Sequence, residues 1–441
     1  MNILMICYYY PPLLDVGSKR SVAFSENFKK YGWNPIVISV RNPDKHFCLL
    51  GKDVPPAGVD VVYTYALFNM SYFLGKLNGL FAKLRKLFKL KPTPRSFLVN
   101  LLCIPDIFIG WIPLTVLKSV QVIRQRNIDV IYVSCSPFSS AAIGVLLKKI
   151  TKNPLVVDFR DPYALEEVGH IVDRPSWRIK INRAFESWVI KESDIFIVNT
   201  EETKASYLNQ YPSSKGKTHA VTNGFDFRYS IEEKMPKFEK FTVIYAGHFY
   251  LYDKRNDVQT EAFFDGIRIL KSKKHIHHEN FQFLYFGVES QSLYEIGKRH
   301  AVEDLLICNE RRPYIEVLQN LKKAHMQLLR IAKPMISTKL FEGIALDVPF
   351  LATIPGGEVE KIVNTYSPAS YVITDHSPKK IAEAILDCRT RYRNGEIIPN
   401  NIEEFKKNFS REKLSLMLLN IIKDNLIENQ VIKKKLFARI E

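Results

Sequence analysis

Short runs of β-branched and aromatic residues alternate with helical stretches along most of the chain, and this alternation constrains the fold more than any other feature. Strands that alternate with helices form parallel sheets, so each continuous set of runs predicts a doubly wound α/β domain. The first set comprises residues 2–7, 35–40, 61–65, 129–133, 155–158, 195–199 and 218–222. The second set comprises residues 241–246, 281–286, 305–308, 326–331, 349–353 and 371–373.

The segment between the two sets predicts a domain boundary. Residues 223–226 carry an Asn-Gly turn signal, and the charged stretch at 230–240 is typical of a solvated linker. We therefore expect an N-terminal Rossmann-like domain over residues 1–228 and a C-terminal one over residues 229–405. Residues 406–441 are expected to form a helical tail that packs back toward the N-terminal domain.

Charge and cysteine content limit the partners and the setting. The formal net charge of +17 predicts an anionic partner, which is a nucleic acid, a phospholipid surface or a phosphorylated substrate. Nucleic acid ranks last because no recognition motif accompanies the charge. The six cysteines are scattered, without a Cys-x-x-Cys pair or a histidine at zinc spacing, so we expect reduced thiols in a cytoplasmic protein and no metal site. The first apolar run stops at Pro11 and Pro12, which favours a buried strand over a secretory signal.

Much of the positive charge is concentrated in one segment. No acidic residue lies between Asp60 and Asp106, while residues 76–95 contribute seven cations. On a helical wheel the leucines and phenylalanines of this segment occupy one arc and most of the cations another, as in helices that lie among anionic lipid headgroups. A core-packing helix with a solvated basic face is the alternative. We expect a basic amphipathic insertion near residues 72–95 that binds an anionic membrane surface.

The run at residues 97–117 is apolar enough to suggest a membrane span. Pro105, Asp106 and Pro113 interrupt it, so a buried or interfacial segment is expected instead of a transmembrane helix. Together with the basic segment, this favours a protein that is peripheral to the inner face of the cell membrane.

The loops after the predicted N-terminal strands contain candidate site residues, since ligands of doubly wound sheets bind beyond the carboxyl ends of the strands. Gly17 opens an amphipathic helix, and a helix N-terminus attracts anions, although neither a dinucleotide fingerprint nor a P-loop is present. Ser136 follows the fourth run with a small hydroxyl side chain that either leaves room for a sugar or caps a helix. In the sequence LVVDFRDPY, the charges at Asp158, Arg160 and Asp161 form either a site or an internal ion pair, and their place at a strand end favours a site.

The loops of the C-terminal domain supply a second group of candidates. Gly247 follows the first strand of this domain, where backbone could approach a diphosphate, and Lys254 or Arg255 lies within loop reach. His248 either binds a ligand or is simply exposed. Lys339 and Glu342 are three residues apart and therefore share a helix face, as suits a ligand with phosphates and ribose hydroxyls, although a surface ion pair has the same spacing.

Seven segments, in one order across most of the chain, resemble the family 4-like glycosyltransferases of the GT-B fold, which build capsule, O-antigen and exopolysaccharide repeat units in bacteria. The segments are YYYPPLLDVGSKR near the start, IPDIFIGW at 104–111, IDVIYVSCSP at 128–137, DFRDPY at 158–163, TNGFD at 222–226, YAGHFY at 245–250 and STKLFEGIALDVPFLATIPGG at 337–357.

The resemblance implies two Rossmann-like domains that face an interdomain cleft. The C-terminal domain would hold a nucleoside-diphosphate sugar and the N-terminal domain would present the acceptor, with Glu342 at the ribose. The implied donor-binding residues are Gly17, Gly247, His248, Lys254, Arg255, Lys339 and Glu342. The implied acceptor-binding residues are Asp15, Ser136, Arg160 and Asp161.

Two positions depart from the family pattern. The family often has a second glutamate eight positions before Glu342, where this chain has Pro334, so a donor-sugar contact from that carboxylate is lost. Many relatives place a histidine after the fifth strand, where this chain has Arg160 and Asp161. We therefore expect Asp161 to serve as acceptor ligand or base, and Asp161, Arg255 and Lys339 to be the catalytic residues.

The implied function is transfer of a sugar from a nucleoside-diphosphate donor to a glycan or polyprenyl-diphosphate-linked acceptor. Lysine and arginine would neutralise the leaving diphosphate without a metal or a further cofactor, and the anomeric configuration would be retained. One rival is a nucleotide-sugar epimerase of the same fold. The other is a non-catalytic, glycosyltransferase-like scaffold in a membrane assembly.

Overall fold

A computed structural model gives the fold of the chain. It describes residues 1–13, 17–43, 54–76, 95–165, 175–227, 231–232, 235–249, 254–331 and 336–428. The chain divides into two compact units. The first unit contains Met1–Thr222 together with Arg411–Glu441, and the second contains Asn223–Ser410.

The first unit is built on a seven-stranded parallel sheet with the strand order β3-β2-β1-β4-β5-β6-β7. Its strands are β1 Asn2–Ile6, β2 Asn34–Val40, β3 Asp60–Thr64, β4 Val130–Cys135, β5 Leu155–Phe159, β6 Ile195–Val198 and β7 Thr218–Ala220. Its helices are α1 Ser18–Lys30, α2 at 70–76, α3 Arg95–Leu102, α4 Ile112–Gln125, α5 Ser139–Thr151, α6 Ser176–Glu192 and α7 Glu201–Gln210, with α15 Arg411–Ile422 near the C-terminal end.

Both faces of this sheet are covered by helices, which explains why its central strands are continuous apolar runs without polar alternation. On one face, α1 and α15 contribute Phe24, Phe28, Leu414 and Leu418 to a buried cluster. The amide of Asn27 on α1 also donates a 3.2 Å hydrogen bond to Ser415 on α15. Helix α15 therefore completes the core of the first unit.

The second unit is built on a six-stranded parallel sheet with the order β10-β9-β8-β11-β12-β13. Its strands are β8 Phe241–Ala246, β9 Phe281–Phe286, β10 Leu306–Asn309, β11 Met326–Arg330, β12 Phe350–Thr353 and β13 Tyr371–Ile373. Its helices are α8 Lys254–Ser272, α9 Ser290–Arg299, α10 Tyr314–Lys323, α11 Thr338–Ala345, α12 Glu358–Tyr366, α13 Pro378–Arg393 and α14 Ile402–Phe409.

The two predicted doubly wound α/β sheets are confirmed. Within the described residues, each predicted run contains a strand whose ends lie within two positions of the expected ones. The prediction of a solvated linker at residues 230–240 is wrong for one side chain, that of Lys237. The amine of Lys237 is half-buried and donates hydrogen bonds to the carbonyls of Lys322 and Ala324, at 3.0 and 2.7 Å.

The predicted basic insertion near 72–95 lies mostly outside the described residues, because the description stops at residue 76 and resumes at residue 95. The apolar run at 97–117 is divided among α3, a short 3-10 helix at Ile109–Trp111 and the start of α4. Among the residues described, no helix combines the length and the apolar character that crossing a membrane requires.

Candidate functional site

Each sheet has one point at which its strand order reverses direction, between β1 and β4 in the first unit and between β8 and β11 in the second. Loops leaving neighbouring strands in opposite directions open a crevice at such a point, and ligands of doubly wound sheets bind there. Most of the predicted site residues follow the strands at these two points, while Arg160 and Asp161 follow the neighbouring strand β5.

In the second unit, the loop after β8 approaches the helix after β11. Gly247 has a φ of +117°, and a Cβ at this position would lie 3.1 Å from the Nζ of Lys339. The same amine lies 5.2 Å from the ring centroid of Tyr245, in a cation–π contact. The absence of a side chain at residue 247 therefore leaves room for the Lys339 amine beside the loop backbone.

Helix α11 presents Lys339 and Glu342 on one face. Ser337 caps this helix, since its side chain accepts a hydrogen bond from the amide of Lys339. Glu342 is half-buried, and the hydroxyl of Tyr314 donates a 2.9 Å hydrogen bond to its Oε1. One helix thus carries a cation and an oriented carboxylate at the point where the strand order reverses.

His248 is half-buried rather than simply exposed. The guanidinium of Arg311 lies 2.9 Å from its Nε2 and donates to the neutral ring, and the hydroxyl of Tyr245 donates to its backbone carbonyl at 2.7 Å. Burial, followed by the nearby charge of Arg311, lowers the pKa of His248. The imidazole is therefore neutral at neutral pH, with Nε2 as an acceptor.

A buried arginine holds the end of the same loop. Arg330, at the end of β11, donates hydrogen bonds to the carbonyl of Phe249 at 2.8 Å and to Oγ1 of Thr260 at 2.7 Å. Its guanidinium carbon also lies 3.8 Å from the centroid of the Phe249 ring. Burial lowers the pKa of Arg330 to about 10, so the side chain is still a cation at neutral pH.

Lys254 and Arg255 are the first two residues of α8, in the turn that follows the β8 loop. Their side chains lie outside the described part of the chain. Their predicted contact with a diphosphate stays a prediction, and the backbone places both residues at a helix N-terminus.

In the first unit, Arg160 connects the loops that follow three neighbouring strands. Its side chain donates hydrogen bonds to the carbonyl of Gly17 at 2.5 Å, to that of Cys135 at 3.1 Å and to that of Ser136. Gly17 precedes α1, Ser136 follows β4, and Arg160 follows β5. Three predicted residues therefore meet at the point where this sheet reverses its strand order. Asp161 is the half-buried next residue, and Asp15 lies outside the described residues.

Asp158 forms the internal ion pair that the sequence left open. Its carboxylate accepts hydrogen bonds from Nε of Arg20 at 2.8 Å and from the hydroxyl of Tyr132 at 2.5 Å, and it is fully buried. The preference for a site at Asp158 is therefore wrong. Arg20 also donates to the carbonyls of Val221 and Thr222, so the pair joins α1 to the end of the sheet.

Several residues of the second site were not predicted from the sequence. Tyr314, Arg311 and Arg330 each fix a predicted residue or its loop, but they lie 28, 63 and 81 positions from their partners. No local pattern marks contacts at such separations. Of these three residues, only Arg330 had a local signal in the sequence, because it is a charged residue at the end of a buried strand.

Comparison with known proteins gives a family match in the first unit and a fold match over the whole chain. Residues 96–229 match the model of Glycosyltransferase Family 4. No curated protein matches the sequence.

Among solved structures, sucrose-phosphate synthase from Thermosynechococcus elongatus is similar over 99% of each chain, at 16% identity and a TM-score of 0.60. A variant of S. aureus TarM in complex with fondaparinux, α-GlcNAc-glycerol and UDP is similar over 95% of this chain and 99% of its own, at 10% identity and a TM-score of 0.58. A candidate UDP-N-acetylglucosamine 2-epimerase from Listeria monocytogenes is similar over 97% of each chain, at 12% identity and a TM-score of 0.53.

At these identities the similarity of the structures establishes the fold, and the GT-B fold implied by the sequence is confirmed. Residues 96–229 are therefore similar to Glycosyltransferase Family 4, and the chain as a whole has the GT-B fold.

Proposed function

We propose that this protein is a glycosyltransferase that moves a sugar from a nucleoside-diphosphate donor to a lipid-linked glycan acceptor in the synthesis of a bacterial surface polysaccharide. One observation carries the proposal. The Lys339 amine lies beside the side-chain-free backbone of Gly247 where the strand order of the second unit reverses, and the helix that carries Lys339 also carries Glu342.

These three residues suit the two polar parts of a nucleoside diphosphate. The Lys339 cation and the loop backbone at Gly247 suit the diphosphate, because a cation stabilises the charge that grows on this leaving group. The carboxylate of Glu342 accepts hydrogen bonds from ribose hydroxyls, and Tyr314 holds one of its oxygens. The presence of UDP in the S. aureus TarM complex supports the same ligand class.

The acceptor is assigned to the first unit, at Gly17, Ser136, Arg160 and Asp161. In the proposed step, the acceptor hydroxyl oxygen bonds to the anomeric carbon as the bond from that carbon to the diphosphate oxygen breaks. Attack on the face that the diphosphate leaves retains the anomeric configuration. Asp161 takes the hydroxyl proton, while Lys339 and Arg255 neutralise the departing diphosphate without a metal.

The basic stretch at residues 76–95 supports a lipid-linked acceptor. A cationic, leucine-rich segment binds anionic lipid headgroups, and such binding would keep the enzyme beside an acceptor that cannot leave the membrane. We therefore propose that the protein works on the inner face of the cell membrane.

Calorimetric titration with UDP, GDP and other nucleoside diphosphates tests the donor site. We expect one of them to bind, and we expect Glu342→Ala to weaken that binding by about tenfold or more, since charged hydrogen bonds to the ribose are lost. Glu383→Ala is the matched control, because Glu383 is an exposed glutamate on α13 in the same unit. Equal affinity in Glu342→Ala and wild type would refute the assignment.

The Listeria monocytogenes structure favours one second candidate, a nucleotide-sugar epimerase of the same fold. Incubation of the bound nucleotide sugar without an acceptor separates the two functions. An epimerase converts the sugar under these conditions, whereas the proposed transferase leaves it unchanged until an acceptor is added. Binding of no nucleoside diphosphate at all would instead favour a non-catalytic scaffold.

A further inference from the structure

A group of large apolar side chains lies exposed in the first unit between β3 and the end of α2. Tyr65, Leu67, Phe68, Tyr72 and Phe73 keep 58%, 61%, 40%, 66% and 46% of their surface exposed. We call these five residues the exposed apolar patch. Scattered single exposures are normal, but five within nine residues mark a surface that binds something apolar.

Helix α2 packs into the core through residues other than those of the exposed apolar patch. Met70 and Leu74, one turn apart, are buried in a small cluster with Cys103. These two residues are the contribution of α2 to the core. Tyr72 and Phe73 lie between them in sequence and point elsewhere, so the helix has a second apolar face that the described residues leave exposed.

The sequence that follows the patch is basic. No acidic residue occurs from residue 61 to residue 105, while residues 76–95 carry seven cations. Lys76, the last described residue of α2, lies with its Nζ 4.7 Å from the ring centroid of Tyr72. Aromatic rings beside lysines, next to a basic stretch, have the chemistry of an anionic lipid–water interface. A second copy of this chain would bring the same cations against each other.

The patch is linked by direct contacts to the carboxyl edge where the acceptor residues lie. Phe68 packs closely on Gly110, since a Cβ at residue 110 would meet both its backbone and its ring. Two residues earlier, Phe108 packs against Tyr8 just after β1, with ring centroids 4.6 Å apart. Asp106 accepts a 3.0 Å hydrogen bond from the amide of Ser139, which begins α5 beyond β4. The patch therefore lies at the edge of the sheet that also carries Ser136.

We propose that the exposed apolar patch inserts into the headgroup region of an anionic membrane and so docks the first unit on it. Tyr72 and Phe73 enter the interface, and Lys76, whose amine lies over the Tyr72 ring, binds the anionic headgroups. The lipid of the acceptor then stays in the same membrane, while its glycan end reaches the loops after β1, β4 and β5. Only this last statement rests on the proposed function.

Co-sedimentation of the full chain with lipid vesicles tests the proposal. One set of vesicles contains phosphatidylcholine and phosphatidylglycerol, and the other contains phosphatidylcholine alone. The test variant is Tyr72→Ser with Phe73→Ser. The matched control is Ile397→Ser with Ile398→Ser, an adjacent apolar pair of the second unit with 61% and 45% of its surface exposed.

We expect wild type and control to sediment with the anionic vesicles, and the test variant to lose about tenfold or more in partition, because two apolar side chains no longer enter the interface. No binding by wild type, or equal binding by the test variant, would overturn the proposal. The proposal would also be overturned if light scattering showed that wild type is a dimer and the test variant a monomer, while neither protein bound vesicles.

Titration with nucleoside diphosphates on the same preparations keeps the two proposals separate. The test variant should bind the nucleotide as wild type does, because its changes lie in the first unit. If wild type binds vesicles through the patch but binds no nucleoside diphosphate, the membrane-docking proposal is supported and the proposed transfer reaction is refuted.

Discussion

The hydroxyl of Tyr314 lies 2.9 Å from Oε1 of Glu342 and donates a hydrogen bond to it. Tyr314 is the first residue of α10 and Glu342 lies in α11, so the bond connects two separate helices of the second unit. It fixes the carboxylate before any ligand arrives. A binding group that is already oriented loses less entropy when the ligand binds.

Tyr314→Phe should weaken donor binding through this effect. Removing one hydrogen bond to a charged group costs about 1 kcal/mol or more, which corresponds to a rise of about fivefold or more in donor KM. We expect kcat and the thermal midpoint to change little, since Tyr314 itself does not touch the reacting atoms. Steady-state kinetics at saturating acceptor measures both constants.

A 2′,3′-dideoxynucleoside diphosphate is the control ligand for Tyr314→Phe. Without ribose hydroxyls it makes no bond to Glu342, so its affinity should be the same in wild type and variant. An equal loss of affinity for both nucleotides would mean that Tyr314 supports the fold of the site and does not orient Glu342.

Gly247→Ala should reduce both stability and donor binding. Alanine at a φ of +117° is strained, and its Cβ would press on the Lys339 amine at 3.1 Å. Gly395→Ala is the matched control, because Gly395 has a φ of +73° with nothing within 4 Å of the added carbon. Each variant should lose on the order of 1 kcal/mol of stability, and only Gly247→Ala should weaken nucleoside diphosphate binding. Thermal unfolding and calorimetry measure the two effects.

Arg330→Met should raise the donor KM because the loop at residues 247–249 loses the hydrogen bond that Arg330 donates to it. The buried carbonyl of Phe249 would be left without this donor, at a cost of about 1–3 kcal/mol in stability. Arg330→Lys keeps one donor and should recover part of the loss. Arg389→Met is the control, since Arg389 is equally buried and donates to the carbonyl of His275 away from this loop. A KM effect of equal size in Arg389→Met would assign the result to general destabilisation.

His325 should make the protein less stable in acid. Burial, and then the charge of Lys237, lowers its pKa from 6.5 to about 4, while Nδ1 accepts a 3.1 Å hydrogen bond from the amide of Thr242. Between these two values the unfolded chain binds a proton that the folded chain does not. Stability present at pH 7 is therefore lost as the pH falls from about 6.5 to 4, by up to about 3 kcal/mol.

His325→Asn tests this effect, because its side-chain oxygen can accept from Thr242 and does not titrate. The thermal midpoint of wild type should fall more steeply than that of the variant between pH 7 and pH 4. Parallel curves would show that other groups set the acid stability.

The strands could be predicted because each one is a local sequence pattern. A parallel strand covered on both faces, such as Val130–Cys135, must be apolar throughout, and a run of this kind is visible without any knowledge of its neighbours. The same holds for the loops after the strands, since the fold places ligands at the carboxyl ends. Gly17, Ser136 and Arg160 were identified in this way, and the fold brings them together.

The contacts that orient the site were not visible in the sequence. Asp158 and Arg160 are two residues apart at the same strand end, yet Asp158 is buried against Arg20, 138 positions away, while Arg160 binds loop carbonyls. Alternation along a strand would place residues two apart on the same face, but β5 ends at Phe159 and Arg160 lies beyond it, so only the packed structure shows which partner each one meets. The partner of Glu342 was missed for the same reason.

The return of α15 to the first unit sets the order in which the chain can mature during translation. Residues 223–410 form a contiguous block, so the second unit has all its parts as soon as that block leaves the ribosome. The seven-stranded sheet is made earlier, but Leu414, Leu418 and Leu419 of its core are synthesised after the whole of the second unit. The first unit therefore completes its core, around Phe24 and Phe28, only after residues 411–422 have also been produced.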